Sequence, residues 1–301
     1  LKKAARQTVG PELQKRIDII IETGLIELSL DFKIYWRRSP IAKLQPGRDY
    51  LNPNIVLIVD DILETDQLKK LNDYLVKWLK NKIQSVLTSL IDLRNLKEKN
   101  SSIKALAYQL YENNGVLQRN QVTDYLKILG QNERKFLRDQ GVKFGRYHVF
   151  LHKLIKPEAV SLRTLLWKNY HQKYFNLKPP VFGLNFLEND KIKNRNFMLL
   201  CGFEKFDNFY VRIDILERLF VQIINSNTEK NEIKLIPEML NLLGCNKDNF
   251  KKLLKIMGYK VFEKNNDIFF KYNPRKSSKK VSKKFIKESP FKVLKNLNLN
   301  H

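Results

Sequence analysis

Two short stretches of this 301-residue chain place side chains in an order that chemistry uses. Val56-Leu-Ile-Val-Asp-Asp61 is an apolar strand ending in two carboxylates, the order of a Walker B strand. Nucleotide hydrolysis also needs a Gly-Lys-Ser/Thr loop, whose amides and lysine hold the phosphates. None of the 11 glycines is followed by lysine. Asp60 and Asp61 therefore read as a strand end that caps the turn into the next helix. His148 and His152 stand at a zinc-like interval of four. On a strand that interval puts them on one face about 13 Å apart. No cysteine pair or third histidine lies nearby, and a structural zinc needs four ligands. They read as core or hairpin histidines.

Nucleophilic catalysis finds no support: there is no Gly-x-Ser-x-Gly turn and no Cys/His pairing. The carboxylates Glu188 and Asp190 sit in a polar turn without distinctive spacing. The expected catalytic, cofactor and metal sets are all empty.

The basic residues are more informative. Lysine and arginine total 56 against 31 acids, a formal charge of +25. That balance favours polyanions. On one predicted helix Lys247, Lys251 and Lys255 recur every four residues beside a buried stripe. On another, Arg134 and Arg138 do the same. The hairpins that follow carry Lys143 and Arg146 in one case, and Lys260, Lys264 and Lys271 in the other. Charges so placed can pair with phosphates, and solvated helix faces show the same pattern. Tyr35-Trp36-Arg37-Arg38 adds aromatic and cationic groups on a short strand, where a base can stack. No set of Asn, Gln and Arg stands out as base-reading, so backbone contact is expected over sequence recognition.

The elements that position these residues repeat. Residues 103–151 and 213–272 each read as helix, short turn, second helix, glycine, then two short strands. The cores are Tyr125 to Phe144, with Gly130 and Gly141, and Met239 to Phe262, with Gly244 and Gly258. This is the layout of a helix-turn-helix closed by a β-hairpin wing. Ahead of the repeats, Leu13, Ile17, Ile20 and Ile21 form a helical stripe ended by Gly24. Short strands follow at Leu25–Leu30, Lys33–Trp36, Ile41–Leu44 and Asn54–Val59. A long helix is predicted from Thr65 to Ile91 and another from Pro157 to Tyr170.

The two cysteines, Cys201 and Cys245, give no disulfide framework, so a reducing, cytoplasmic compartment is expected. No apolar run approaches membrane-spanning length. The chain begins at Leu1, already in helical pattern, and reads as the C-terminal piece of a longer protein.

Several phrases resemble one family, the alphaproteobacterial superfamily-two helicases related to the mitochondrial-degradosome RNA helicase. They are Leu1-Lys-Lys-Ala-Ala, Pro11-Glu-Leu, Ile34-Tyr-Trp-Arg-Arg-Ser-Pro-Ile-Ala-Lys-Leu44 and Pro46-Gly-Arg-Asp. Further on come Gly141-Val-Lys-Phe-Gly-Arg-Tyr-His-Val-Phe-Leu151, Leu154-Ile-Lys-Pro-Glu-Ala159 and Leu162-Arg-Thr-Leu-Leu-Trp167. The last is Val211-Arg-Ile-Asp-Ile-Leu-Glu-Arg-Leu219, with Met239–Gly244, Phe250 and Gly258-Tyr259. Together they cover most of 1–272 in order. The resemblance implies a C-terminal accessory region beside an ATP-dependent motor. ATP and Mg belong to that motor, whose P-loop and DExH-type box this chain lacks. The Lys/Asn-rich composition and the basic tail depart from the family's usual pattern.

The expected fold is mainly α, α+β. It comprises an N-terminal segment with a small sheet and long helix (1–97), a first winged-helix-like unit with its following helix (98–171) and an irregular connector (172–198). A second winged-helix-like unit (199–272) and a disordered basic tail (273–301) complete it. The expected function is nucleic-acid binding in a helicase. The contact candidates are Arg37, Arg38, Arg134, Arg138, Lys143, Arg146, Lys251, Lys255 and the tail lysines Lys279, Lys280, Lys283 and Lys284. The expected partners are RNA or other single-stranded nucleic acid, the motor in cis and a nuclease, with no membrane. A protein-docking module and a stand-alone DNA-binding regulator are the other readings.

Overall fold

A computed structural model of the chain describes residues 2–58, 65–97, 100–188, 194–226 and 232–273. The tail lysines and the Asp60–Asp61 pair lie outside these residues. The fold is mixed α+β with several small antiparallel sheets. No helix among the described residues is long and apolar enough to cross a membrane.

The N-terminal part begins with α1 (Lys2–Thr23), which Gly24 ends in a left-handed turn, φ 61°. Strands β1 (Ile26–Leu28), β2 (Lys33–Trp36), β3 (Ser39–Gln45) and β4 (Asn54–Leu57) form an antiparallel meander in sequence order. A bulge at Ile34/Tyr35 shifts the β2–β3 register. Helix α2 (Thr65–Val86) buries Leu71, Leu75, Leu79 and Ile83 at helical spacing. The chain breaks at Leu87 and continues as α3 (Thr88–Arg94), so the predicted single helix to Ile91 is two. An ion pair, Lys70 Nζ to Asp18 Oδ1 at 2.7 Å, ties α2 to α1.

The next part contains α4 (Ser101–Glu112), β5 (Val116–Gln118), a 3-10 turn at Arg119–Val122, α5 (Thr123–Ile128), α6 (Gln131–Asp139), β6 (Val142–Phe144) and β7 (His148–Leu151). Asn100 caps α4, its side-chain oxygen accepting from the Ser102 and Ile103 amides. After a 3-10 turn at His152–Ile155 comes α7 (Pro157–Tyr170). One continuous core runs from Ile17 through the meander and α2 to Leu166 of α7. Residues 1–97 and 98–171 thus share a core.

The predicted irregular connector contains regular elements. After α7 a 3-10 turn at Gln172–Tyr174 leads to β8 (Phe186–Glu188) and α8 (Arg195–Leu200). Then come β9 (Phe203–Phe206), β10 (Phe209–Arg212) and α9 (Ile213–Asn225). Strand β8 pairs with β10, so the connector belongs to a sheet. The last elements are β11 (Ile233–Lys234), α10 (Pro237–Leu243), α11 (Lys247–Ile256), β12 (Tyr259–Lys264) and β13 (Asp267–Tyr272).

Three sheets follow one plan, in orders β5-β7-β6, β8-β10-β9 and β11-β13-β12. In each, a helix leads into a glycine and then a hairpin, and the preceding strand pairs with the hairpin's second arm. Gly141, Gly202 and Gly258 occupy the same place, with φ of 89°, 82° and 87°. Each amide donates three residues back, to the Arg138, Leu199 and Lys255 carbonyls at 2.9, 3.0 and 3.2 Å. Only glycine adopts this turn without strain. The sequence reading found two such units; the structure adds a third over 186–212.

The described residues form two compact units: 2–226 with 236–246, and 232–235 with 247–273. The first has an unusual buried cation. Arg163 of α7 is fully buried, and its guanidinium donates to the Asn114, Leu154 and Leu200 carbonyls at 2.9, 2.6 and 2.7 Å. Burial pulls its pKa down to about 10. It closes the ends of α4 and α8 against α7.

Candidate nucleic-acid interface

The candidate residues occupy three settings. Arg37 and Arg38 form the two-residue turn between β2 and β3 and are exposed. Arg37 takes φ 55°, and its guanidinium lies 4.7 Å from the Trp36 ring centre. Trp36 itself packs against the core. The Tyr35 hydroxyl donates to Asp31 Oδ2 at 2.9 Å. The arginines thus stand at a hairpin tip, with both aromatics on the strand behind them.

On the first hairpin and its helix the candidates divide. Arg134 of α6 is half-buried and donates to the Leu126 carbonyl at 2.7 Å, closing the C-terminal end of α5. Arg138 stays exposed, its guanidinium 5.7 Å from the Phe144 ring centre. Lys143 on β6 and Arg146 in the following turn are exposed too.

A buried network fixes that turn from behind. Glu217 of α9 accepts from the amides of Arg146, Tyr147 and His148, the last two at 2.9 and 2.7 Å. It also meets His148 Nδ1 at 3.0 Å, while His148 Nε2 meets Glu204 Oε2 of β9 at 3.2 Å. Arg195 closes the chain on Glu204 Oε1 at 3.0 Å. Burial alone would push the His148 pKa down, but the two carboxylates outweigh it and the result is a raised value. Burial alone would push Glu204 up; His148, Gln118 and Arg195 hold it at about 2. The network sets the His148 ring between the Glu217 and Glu204 side chains, and it joins the first hairpin to the second sheet and α9. Gly145 is required beside it, because a Cβ there would stand 2.4 Å from the Glu217 carboxyl carbon. His152 lies in the 3-10 turn beyond β7, and no metal-ligand cluster occurs among the described residues.

The last hairpin has a different surface. Lys255 on α11 is exposed, while Lys251 pairs with Glu263 Oε1 at 2.8 Å. Register places Phe262 opposite Phe269 and Lys260 opposite Lys271 on one face of β12–β13. The two phenyl rings stack, with centres 6.2 Å apart and planes 13° from parallel. Lys264 Nζ stands 5.0 and 5.9 Å from the ring centres of Phe262 and Phe269. Lys234 and Lys264 are paired with Asp267 and Glu232. Lys260 and Lys271 have no ion-pair partner among the described residues. A depression of about 390 Å³ lies over this face, lined by Lys260, Phe262, Lys264 and Lys271 among others.

The sequence reading identified the hairpin lysines but not Phe262 and Phe269. Their signal was the alternation Lys260-x-Phe262-x-Lys264, which puts all three on one side of a strand. Comparison with protein-family models, curated proteins and solved structures finds no match for the chain.

Proposed function

We propose that the chain is the nucleic-acid-binding accessory region of an ATP-dependent RNA helicase, and that it grips a single strand beside a motor carried elsewhere. Residues 103–151 and 213–272 are read as winged-helix units within it. The observation that carries the proposal is the outer face of β12–β13. It combines a stacked aromatic pair with two opposed, unneutralised lysines. Like charges directly opposite on a hairpin destabilise it. A phosphate between Lys260 and Lys271 relieves that repulsion, and the phenyl faces accept unpaired bases of any sequence. The exposed Arg37, Arg38, Arg138, Lys143, Arg146 and Lys255 supply further phosphate contacts. The family resemblance supports the helicase setting and RNA as the strand.

A fluorescein-labelled oligouridylate of twelve nucleotides, titrated by anisotropy at several salt concentrations, tests this. The expected result is binding that weakens steeply with salt. Absence of binding at low salt overturns the proposal.

One observation favours a protein-docking role instead. Phe175, Val181, Phe182 and Leu184 are exposed within ten residues of chain, Val181 at 75%. This patch lies on the segment before β8 and suits a motor domain or a nuclease. The same titration separates the readings, since docking alone gives no salt-dependent RNA binding.

A further inference from the structure

The N-terminal part holds a second cationic surface that the candidate residues do not include. A groove of about 670 Å³ runs between the loop 46–53 with β4 on one side and α2, α3 and Tyr111 on the other. Arg48, Lys80 and Arg94 line it, and among the described residues no carboxylate does. All three are exposed, and none has an ion-pair partner among the described residues. Arg94 lies 5.3 Å from the Tyr111 ring centre. The floor is apolar, with Leu79 and Ile83 buried and Val76 46% exposed. Amide side chains, including Asn72, Gln84 and Asn95, complete the lining.

The loop wall is preformed. Gly47 allows a close approach, since a Cβ there would stand 1.9 Å from the Asn52 carbonyl oxygen. The nearby acid, Asp49, faces into the loop and accepts from the Leu51 amide and Asn52 Nδ2, both at 2.9 Å. It makes no ion pair with the three groove cations, although its charge and that of Glu112 are felt at the Tyr111 hydroxyl.

We infer that this groove is a second binding site for single-stranded nucleic acid, separate from the β12–β13 face. The inference rests on the proposed function. Concave walls concentrate the field of converging cations, which attracts phosphates. The volume lies in the range of ligand clefts. The amides offer both donors and acceptors to base edges, and the Arg94 guanidinium, 5.3 Å from the Tyr111 ring centre, offers a planar cation. An acidic peptide would use the cations alone and leave the amides idle.

The test compares the full chain with Arg48→Glu/Lys80→Glu and with a charge-matched control, Lys153→Glu/Lys156→Glu, whose lysines are exposed outside the groove. The probe is the fluorescein-labelled twelve-nucleotide oligouridylate. Loss of two phosphate contacts lowers the slope of log affinity against log salt by roughly 1.4, at about 0.7 per phosphate on a single strand. The groove variant is expected to show that drop and weaker binding at low salt, with the control unchanged. The milder Arg48→Gln/Lys80→Gln, with unaltered thermal melting, guards against misfolding and is expected to show the same drop. Equal weakening by control and groove variants means diffuse charge and overturns the groove. Unchanged binding by the groove variants overturns it while the proposed function stands. A chain that binds no oligonucleotide takes both down. A labelled twelve-residue polyglutamate that binds as tightly, with the same loss in the groove variants, replaces nucleic acid by an acidic peptide and also overturns it.

Discussion

All four residues of the second arm of the first hairpin, His148–Leu151, are buried, whereas in β12–β13 only Tyr259 and Phe270 are. Both hairpins follow a helix and a left-handed glycine, and both take a third strand on the second arm. The first turns its backbone amides and the His148 ring toward Glu217 and Glu204. The last turns aromatic rings and lysines outward. The shared plan fixes the backbone. What each hairpin does follows from the side chains on its two faces, so topology alone assigns neither a role.

The comparison breaks most sharply at Glu217. Glu217→Ala strands three amides and the buried His148, and removing one partner of a buried pair costs about 3–5 kcal/mol. Urea unfolding is expected to show that loss. Glu263→Ala, which removes an exposed partner of Lys251, should leave the unfolding midpoint near wild type. Equal losses would mean that the first hairpin is no more tightly bracketed than the last.

Binding effects come next. Changing Lys279, Lys280, Lys283 and Lys284 to glutamine lowers the salt slope by up to about 2.8 if each lysine neutralises one phosphate. An unchanged slope removes the tail from the interface. Lys260→Gln/Lys271→Gln lowers the slope by about 1.4 and slightly raises hairpin stability, because a like-charge pair disappears. A stability loss there would show that the two lysines support the fold.

The pH response is the smallest expected effect and belongs to the first hairpin. His148 has a raised pKa in the fold, so its contribution is full below the ordinary value of 6.5 and fades as pH rises through the raised value. Glu204 is depressed to about 2, so its contribution is present above 4.5 and fades as pH falls toward 2. Melting temperature is expected to be highest between those limits, around pH 5 to 6. His148→Gln should flatten the alkaline arm. If the arm persists in that variant, another group controls it.

Much of this was legible from periodicity. The stripe of α2, the start of α7 at Pro157 and the glycines Gly141 and Gly258 all appear where the pattern put them. The third copy of the plan was not visible. Helix α8 has six residues and buries Phe197, Met198 and Leu200, too few and too close to show a face. Strand β8 finds its partner more than twenty residues later, in β10. The same distance effect hid the bracket, since Glu217 and His148 lie 69 positions apart. Phe262 and Phe269 face each other only through the pairing of β12 with β13, and the sequence pattern of either strand alone does not show that register. The groove draws on residues from Arg48 to Tyr111, and no local pattern joins them.

The most direct test of the hairpin contrast is the affinity of Phe262→Leu/Phe269→Leu for the twelve-nucleotide oligouridylate. Leucine keeps apolar bulk on the sheet and removes the ring faces. Stacking contributes about 1–3 kcal/mol per base, so affinity should fall roughly tenfold or more with the salt slope unchanged. Wild-type affinity in this variant would contradict the stacking face and leave the last hairpin with charge alone.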